Sequence, residues 1–290
     1  MREGAHSERA KGRGTLYVVA TPLGNMEDIT VRAIRVLGEV PLIAAEDTRH
    51  TGRLLKRYGI STPLTSYHEH NEGKKAPRLL ARLREGTDIA LVSDAGTPGI
   101  SDPGYRLVKL AAEGEIEVIA VPGPSAVLAA LSVAGLPTDS FLFEGFVPSR
   151  RTERRRFLLG LKGLKKTVLL YESPRRIRGT VKDIGELLGD VNLVLAKELT
   201  KLHEEVYRGR VGEILEILEG CDIKGEITLL IGPQSEGKRN DISISEELKG
   251  YLKLGFTLKD AVQAVAAESG LPRRAVYREA IKLKEGERDK

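Results

Sequence analysis

The fold is decided by residues 89–104, which read I-A-L-V-S-D-A-G-T-P-G-I-S-D-P-G. The apolar run Ile89–Val92 stops abruptly at Ser93 and Asp94, and a loop rich in glycine and proline follows. This pattern is typical of a buried parallel strand whose carboxyl end opens into a turn. In α/β sheets, ligands bind outside the carboxyl ends of the strands, and glycines there let the backbone approach a ligand closely. The loop is therefore predicted to belong to a binding site.

Polar, turn-forming residues follow four other predicted strand segments. Taken singly, each segment is most simply a turn or a helix cap. Because the carboxyl ends of parallel strands meet at one edge of a sheet, the whole set predicts a composite cleft between two α/β domains. The four segments are residues 21–25 (T-P-L-G-N), 46–50 (E-D-T-R-H), 66–72 (S-Y-H-E-H-N-E) and 171–176 (Y-E-S-P-R-R).

Strand and helix patterns alternate up to about residue 122, which favours a mostly parallel sheet. Beyond residue 137 some strands follow one another without long helices between them, so the second sheet is predicted to be mixed, with antiparallel pairs. Residues 126–134 are small and apolar and predict a buried helix. The parts expected in order are a disordered tail at 1–14, an N-terminal α/β domain at 15–122, a C-terminal α/β domain at 123–232, a linker at 233–244 and a helical, helix-turn-helix-like module at 245–290.

The composition is that of an ordinary globular protein, with 290 residues of which 41% are apolar and 30% charged. No apolar run approaches the ~20 residues that a membrane-spanning helix needs, and the polar start is not a signal peptide. We therefore expect a cytoplasmic protein with no membrane partner. The single cysteine, Cys221, excludes an intramolecular disulfide and a cysteine-based metal site within one chain. A net charge of +5 permits a polyanionic partner without requiring one.

The positive charge is concentrated in clusters that are rich in arginine. Residues 149–156 hold five arginines, and further clusters lie at 175–178 and 273–284. A single cluster is most simply a solvated face, but several together favour phosphate contacts, because the planar guanidinium matches a phosphate group. The predicted RNA-contacting residues are Arg49, Arg150, Arg151, Arg154, Arg155, Arg175, Arg176, Arg273, Arg274 and Arg278.

Common nucleotide-binding motifs are missing from the sequence. No G-x-x-x-x-G-K-[ST] is present and no G-x-G-x-x-G follows a strand, which argues against ATPases and ordinary Rossmann dehydrogenases. His68 and His70, with Glu69 and Glu72 beside them, would point the same way on a strand and make metal binding conceivable. Because a third compelling ligand is lacking, we expect a polar pocket or an RNA contact there and no metal.

Eight strings spread over about residues 15–285 carry a resemblance to a known family: V-A-T-P-L-G-N-M-E-D-I-T, A-A-E-D-T-R-H-T, S-Y-H-E-H-N-E, L-V-S-D-A-G-T-P-G-I-S-D-P-G-Y, P-G-P-S-A, G-L-P-T-D-S-F-L-F-E-G-F, Y-E-S-P-R-R and K-E-L-T-K-L-H-E-E-V-Y-R-G. Together they resemble the tetrapyrrole methylases, or class III methyltransferases. The resemblance implies two α/β domains with S-adenosylmethionine in the cleft between them, and a homodimer. Within that family it implies 2′-O-methylation of a cytidine ribose in 16S rRNA of the small (30S) ribosomal subunit.

The same resemblance assigns residues to the donor site. The central loop reads D-A-G-T-P where corrin and porphyrin methylases carry G-G-D-P, so the position of the loop carries over better than single side-chain contacts. The implied donor-site residues are Pro22, Asp94, Ala95, Gly96, Thr97, Ile100, Ser125, Ala126, Tyr171, Ala196 and Thr228.

Methyl transfer from a sulfonium is an in-line displacement, so positioning supplies much of the rate. A ribose hydroxyl is a poor nucleophile, and a nearby side chain would have to remove its proton as the methyl group arrives. The sequence offers several candidates without singling one out: Asp47, His68, His70, Glu172 and Lys197.

Two other functions remain open from the residues alone. A methyltransferase acting on a small tetrapyrrole would share the fold, but the basic module beyond residue 245 has no evident use on a free macrocycle. A non-enzymatic RNA-binding factor for ribosome assembly would need no cofactor loop, and the intact glycine- and proline-rich loops argue against it. Donor binding distinguishes the enzyme from the assembly factor.

Overall fold

The computed structural model describes residues 12–220, 223–234, 244–253, 255–269 and 271–286. The chain forms two compact units: the first ends at Val133 and includes the segment Ala196–Val206, and the second takes Ala134–Leu195 and continues from Tyr207. The first unit is longer than the predicted 15–122. One reason is that Thr97 Oγ1 donates to Pro124 O at 3.2 Å, which ties the start of the next helix to the first unit. No helix within the described ranges is long and apolar enough to cross a membrane.

The first unit contains a five-stranded sheet in the order β3-β2-β4-β1-β5, with parallel pairing throughout, as predicted. Each strand is followed by a helix. The strands are β1 (Leu16–Val19), β2 (Leu42–Ala45), β3 (Leu64–Ser66), β4 (Ile89–Val92) and β5 (Val118–Val121), and the helices are α1 (Val31–Glu39), α2 (Thr48–Arg57), α3 (Glu72–Arg84), α4 (Tyr105–Glu113) and α5 (Ala126–Ala134).

The central strands of this sheet are buried on both faces because their residues are apolar without interruption. On β2, Ile43 and Ala45 face a cluster that includes α1 and α2, whereas Ala44 faces α3 and α4. Two layers of helices therefore enclose the sheet, and polar residues that bind a ligand can lie only at its edges.

The second unit contains a five-stranded sheet in the order β6-β7-β10-β8-β9. Strand β6 is parallel to β7 and β7 is antiparallel to β10, which confirms the predicted mixed sheet. The strands are β6 (Phe141–Phe146), β7 (Thr167–Glu172), β8 (Asn192–Lys197), β9 (Glu205–Arg210) and β10 (Ile227–Ile231), and the helices are α6 (Arg151–Leu159), α7 (Pro174–Leu188) and α8 (Val211–Gly220).

Three C-terminal helices follow, as expected: α9 (Ile244–Lys253), α10 (Leu258–Ser269) and α11 (Arg273–Gly286). Thr257 caps the start of α10, since Asp260 N donates to Thr257 Oγ1 at 3.2 Å. Buried side chains of these helices, such as Leu248 and Val265, belong to the same apolar cluster as Leu158 of α6. The predicted module therefore packs into the core of the second unit.

Two expectations for chain segments need correction. Within the predicted disordered tail, Arg13 donates to Gly114 O at 3.1 Å and Gly14 N donates to Leu83 O at 2.7 Å, so residues 12–14 are held against the first unit. Helix α5 was expected to be buried, but Leu128 is 57% exposed and Val133 is 40% exposed. Of the predicted linker, residues 235–243 lie outside the described residues, as do residues 1–11 of the tail and Cys221.

Candidate functional site

The loop after β4 is fixed by hydrogen bonds to the ends of two other strands. Gly96 N donates to Thr21 O at 3.0 Å and Thr21 N donates to Gly96 O at 2.9 Å, which pairs the loop with the end of β1. Thr97 Oγ1 donates to Pro124 O at 3.2 Å, beyond the end of β5. The three adjacent strands β4, β1 and β5 therefore present one connected set of loops at the carboxyl edge of the sheet, where ligands bind in this class of fold.

Gly96 has a backbone conformation that requires glycine. Its φ angle is +78°, and a Cβ atom there would lie 3.3 Å from Leu23 Cδ2 and 3.8 Å from Pro124 O. An L-residue at this position is strained by its φ angle alone, and a large side chain would also fill the space beside the loop. Gly96 therefore lets the loop backbone lie close to Leu23 and Pro124.

Two acidic side chains lock the loops after β2 and β4 together. Glu46 Oε2 accepts a hydrogen bond from Asp94 N at 3.2 Å, and Asp94 Oδ1 accepts one from Asp47 N at 3.0 Å. Burial raises the pKa of the Glu46 carboxyl above its ordinary value, and the hydrogen bond from Asp94 N opposes that shift in part. The Asp94 side chain thus positions the backbone of Asp47. Glu46, which holds the backbone of Asp94, was not among the site residues predicted from the sequence.

Asp47 acts as the N-cap of α2 and as the partner of Arg49. Its Oδ1 accepts from Arg49 N at 2.7 Å, and its Oδ2 lies 3.0 Å from Arg49 Nη2. The Arg49 side chain lowers the pKa of Asp47 to about 2. A carboxylate with so little affinity for a proton is a poor general base at neutral pH, which argues against the predicted catalytic role of Asp47. Arg49 itself stays exposed.

The two histidines after β3 differ in their surroundings. Asn71 Oδ1 accepts from His68 N at 3.0 Å, and Asn71 Nδ2 lies 3.0 Å from His68 Nε2, so Asn71 orients the imidazole. The His70 side chain is exposed, and its ring centroid is 6.0 Å from that of His68. Among the residues that the structure describes, no group of three or more histidine, cysteine or acidic side chains is placed to hold a metal ion.

Glu172 of β7 is a structural carboxylate. It is 2% exposed and accepts hydrogen bonds from Ser173 N at 2.6 Å, Arg176 Nε at 2.8 Å and Thr180 Oγ1 at 2.6 Å. A base must reach its substrate, so this fully engaged side chain does not fit the predicted catalytic role. Arg176 is also held by this pair, which weakens its case as an RNA contact.

The other predicted residues of the second sheet lie on or beside paired strands. Tyr171 of β7 and Thr228 of β10 are register partners, and the Tyr171 ring packs edge-on against Phe143 at 4.9 Å. Ala196 is buried near the end of β8, and Lys197 Nζ lies 2.5 Å from Glu205 Oε2. The predicted share of Tyr171, Ala196 and Thr228 in a donor site stays a prediction.

Comparison with known proteins identifies the family over most of the chain. The family model of the Tetrapyrrole (Corrin/Porphyrin) Methylases matches residues 15–215. The chain belongs to the tetrapyrrole methylases. The resemblance inferred from the eight sequence strings is thereby confirmed.

Relatives and solved structures refine this membership. Proteins called "Ribosomal RNA small subunit methyltransferase I" are 44% identical in Synechocystis sp., over 93% of this chain and 98% of the relative, and 43% identical in Escherichia coli O157:H7, over 95% and 98%. The uroporphyrin-III-C-methyltransferase of Thermus thermophilus matches 76% of this chain and 94% of its own, with a TM-score of 0.55 at 23% identity. A structure of the Thermus enzyme complexed with S-adenyl homocysteine matches 76% and 97%, with a TM-score of 0.52 at 18% identity. The solved structures confirm the fold.

Two predicted RNA-contacting arginines of this tetrapyrrole methylase are buried in an ion-pair network. Arg154 Nε donates to Asp183 Oδ2 at 2.7 Å, and Arg155 Nη1 donates to Asp183 Oδ1 at 2.8 Å and also contacts Glu186. Arg154 and Arg155 are 7% and 5% exposed, so the prediction that they contact RNA is wrong for this structure. The others that remain exposed are Arg150, Arg151, Arg175, Arg273, Arg274 and Arg278, of which Arg151 also lies 3.4 Å from Asp183.

Proposed function

We propose that this protein transfers the methyl group of S-adenosylmethionine to the 2′-hydroxyl of a cytidine ribose in 16S rRNA. The observation that carries the proposal is the loop after β4, which hydrogen bonds to Thr21 and Pro124 fix at the carboxyl edge of the first sheet. It lies in a chain that is 43–44% identical, over more than nine-tenths of each length, to proteins called small-subunit rRNA methyltransferase I. Neither a tetrapyrrole substrate nor a purely structural role in ribosome assembly is favoured by these relatives.

The residues of the loop fit the donor. A Cβ at Gly96 would fill the space beside Leu23 and Pro124, and the polar backbone on either side offers amide and carbonyl groups to an adenosine and an amino-acid moiety. The bound donor supplies an activated methyl group on a sulfonium, so the transfer itself needs no metal. The donor-site residues proposed are Pro22, Asp94, Ala95, Gly96, Thr97, Ile100, Ser125, Ala126, Tyr171, Ala196 and Thr228.

The proton acceptor is proposed to be one of the two histidines. Asp47 and Glu172 are engaged as described above, and Lys197 is paired with Glu205. His70 is exposed, and His68 is held in place by Asn71. An imidazole is the side chain most often used for proton transfer in enzymes. Comparing methyl-transfer rates of His70→Ala and His68→Ala across pH identifies which histidine takes the proton.

The test of the donor site is Gly96→Leu, compared with Gly59→Leu. Gly59 also has a positive φ angle, +67°, but no atom lies within 4 Å of its added Cβ, so this control carries the backbone strain without the filled space. We expect calorimetry to show donor affinity reduced more than about tenfold by Gly96→Leu and little changed by Gly59→Leu. Wild-type affinity in a folded Gly96→Leu protein would contradict the assignment.

The test of the substrate is transfer of labelled methyl groups to 30S subunits that lack the modification, with ribose methylation mapped by mass spectrometry. Incorporation at a cytidine 2′-hydroxyl supports the proposal. Donor binding with incorporation only into a tetrapyrrole would replace the substrate, and a protein that binds no donor would be the assembly factor.

We propose the small ribosomal subunit and a second copy of this chain as partners, and the cytoplasm as the location, because the proposed substrate is ribosomal RNA. Two apolar surfaces support self-association. Helix α5 exposes Leu128 and Val133, and the edge strand β6 exposes Phe146 by 61%. Isolated apolar side chains on a surface are ordinary, whereas groups of them mark interfaces. Sedimentation at micromolar concentration is expected to show a dimer.

A further inference from the structure

Helix α11 has one buried and one exposed face. Val276 and Ala280 are fully buried in the apolar cluster of the second unit. The opposite face presents Arg274, Tyr277, Arg278 and Ile281, at spacings of three and four residues that bring them into one stripe. Tyr277 is 48% exposed and Ile281 38% exposed. The outward stripe therefore alternates arginine with aromatic and aliphatic side chains.

Three arginines of α11 have no compensating partner in the part of the chain that the structure describes. Arg273, Arg274 and Arg278 are exposed, and none of them forms an ion pair or side-chain hydrogen bond with a residue that the structure describes. The acidic side chain described on α11, Glu279, is 2.7 Å from Lys282. Tyr277 follows Arg273 by four residues and Arg274 by three, a spacing that makes these side chains neighbours on the helix surface.

The other two helices of the module hold it to the rest of the second unit. Asp260 of α10 receives a bidentate contact from Arg156 Nη2, with both distances 2.8 Å. The Arg155 guanidinium lies 5.5 Å from the Phe256 ring centroid, and Lys162 Nζ is 3.2 Å from Tyr251 Oη. These contacts use α9, α10 and the turn between them. The outward face of α11 takes no part in the attachment.

We propose that this face of α11 binds the RNA substrate, at a loop or strand end that presents an unpaired base beside its phosphates. Guanidinium groups bind phosphate oxygens through paired hydrogen bonds. RNA is read mainly where unstacked bases can stack on aromatic side chains, which is the role assigned to Tyr277. The occupant follows from charge complementarity: three unpaired cations meet a polyanion. The inference rests on the proposed function, since that function supplies RNA as the substrate.

The decisive variant changes Arg273, Arg274 and Arg278 to glutamine together, with binding to 16S rRNA and to 30S subunits measured over a range of salt concentration. Each lost phosphate contact should reduce the slope of log affinity against log salt by about 0.7–0.9, and three should lower affinity at low salt by about a hundredfold. Donor binding should stay unchanged, because none of the three arginines is among the proposed donor-site residues.

The matched control changes Lys74, Arg78 and Arg82 of α3 to glutamine. These side chains are also exposed, are spaced four residues apart and have no partner among the described residues. Because three cations are replaced in each variant, the change in total charge is the same. The pocket beside α3 is lined by Glu69, Glu72 and Glu113 together with Arg106 and Lys109, so carboxylates balance the positive charge there. We expect the control to reduce RNA affinity less than about threefold.

Tyr277 separates stacking from charge. Tyr277→Ala should weaken binding by about tenfold with an unchanged salt slope, whereas Tyr277→Phe, which keeps the ring, should bind like the wild type. The stacking role is wrong if alanine and phenylalanine behave alike.

The inference is overturned if the triple α11 variant keeps wild-type affinity and salt slope, or if the α3 control loses as much affinity as α11. It is also overturned if the α11 variant changes the sedimentation of the protein and leaves RNA binding intact, because the face would then contact a second copy. Failure of the proposed function has a different signature, namely a wild-type protein that transfers no methyl group to 30S subunits. In that case the RNA affinities of the α11 and α3 variants still show whether the face of α11 binds RNA.

Discussion

Helices α6 and α11 both begin in arginine-rich sequence, yet the structure uses their charges in opposite ways. Arg154 and Arg155 of α6 point inward onto Asp183, and their side chains are 9% and 7% exposed. Arg274 and Arg278 of α11 point outward and have no partner among the described residues. A buried guanidinium must be paired, because removing a charge from water is costly. The position of an acidic partner therefore decides whether an arginine cluster supports the fold or is available to a substrate.

The largest effect expected from this difference follows removal of Asp183. Asp183→Ala leaves Arg154 and Arg155 buried without their carboxylate, and breaking a buried pair in this way costs about 3–5 kcal/mol. We expect urea denaturation to show that loss, while the folded fraction binds RNA with nearly wild-type affinity.

The control for Asp183 is Asp190→Ala. Asp190 lies 3.5 Å from Arg210 with its side chain 62% exposed, and such surface pairs contribute about 0–1 kcal/mol. Equal losses of stability in the two variants would show that the α6 network is solvated in solution, and the contrast between α6 and α11 would then fail.

A smaller change in the free energy of unfolding is expected when the two arginines of α6 and their partner Asp183 are replaced together. The combination Arg154→Met, Arg155→Leu and Asp183→Leu exchanges buried charges for apolar side chains of similar size, which is often neutral within about 2 kcal/mol. RNA affinity should stay at the wild-type value, in contrast to the triple variant of α11. A marked fall in RNA affinity with intact stability would mean that the α6 arginines reach the substrate after all.

The success of sequence-based prediction differed between these regions for physical reasons. The bounds of helix α7 follow local sequence signals, because Pro174 lies in its first turn and Gly189, with a φ of +81°, follows its end. The ends of β1 and β4 are also marked by local signals, since an apolar run stops at turn-forming residues in each case. The α6 pairs were missed because Asp183 is 28 and 29 residues away from its arginines, and only packing brings them together.

The candidate site was likewise predicted in position but not in detail. The loop after β4 was identified from its glycines, whereas the role of Glu46 depends on a neighbour that follows another strand, and that of Asn71 on side-chain hydrogen bonds to Ser66 and His68 within its own loop. Glu46 reaches Asp94 N across 48 residues of sequence. Asp47 and Glu172 are of a residue type that can act as a general base. Residue type alone does not show that Arg49 pairs with Asp47, which caps a helix, or that Arg176 pairs with Glu172, which is buried.

The smallest expected effect concerns the ion pair that attaches the helical module, which lies between the two extremes of α6 and α11. Asp260 is held by Arg156 and Thr257, and their hydrogen bonds, with that of Arg156 the larger cause, lower the pKa of its carboxyl below the ordinary value. A pKa that is lower in the folded than in the unfolded state adds stability above the unfolded value, and that stability is lost as the pH falls through the folded value. Because the Arg156 side chain is 59% exposed, solvent screening limits the contribution to less than about 1 kcal/mol.

Asp260→Asn should therefore be slightly less stable than the wild type at pH 7, and urea midpoints of the two proteins should converge as the pH falls below about 4. A difference that stays constant down to pH 3 would assign the loss to the capping hydrogen bonds of Thr257 and not to the charge of the pair.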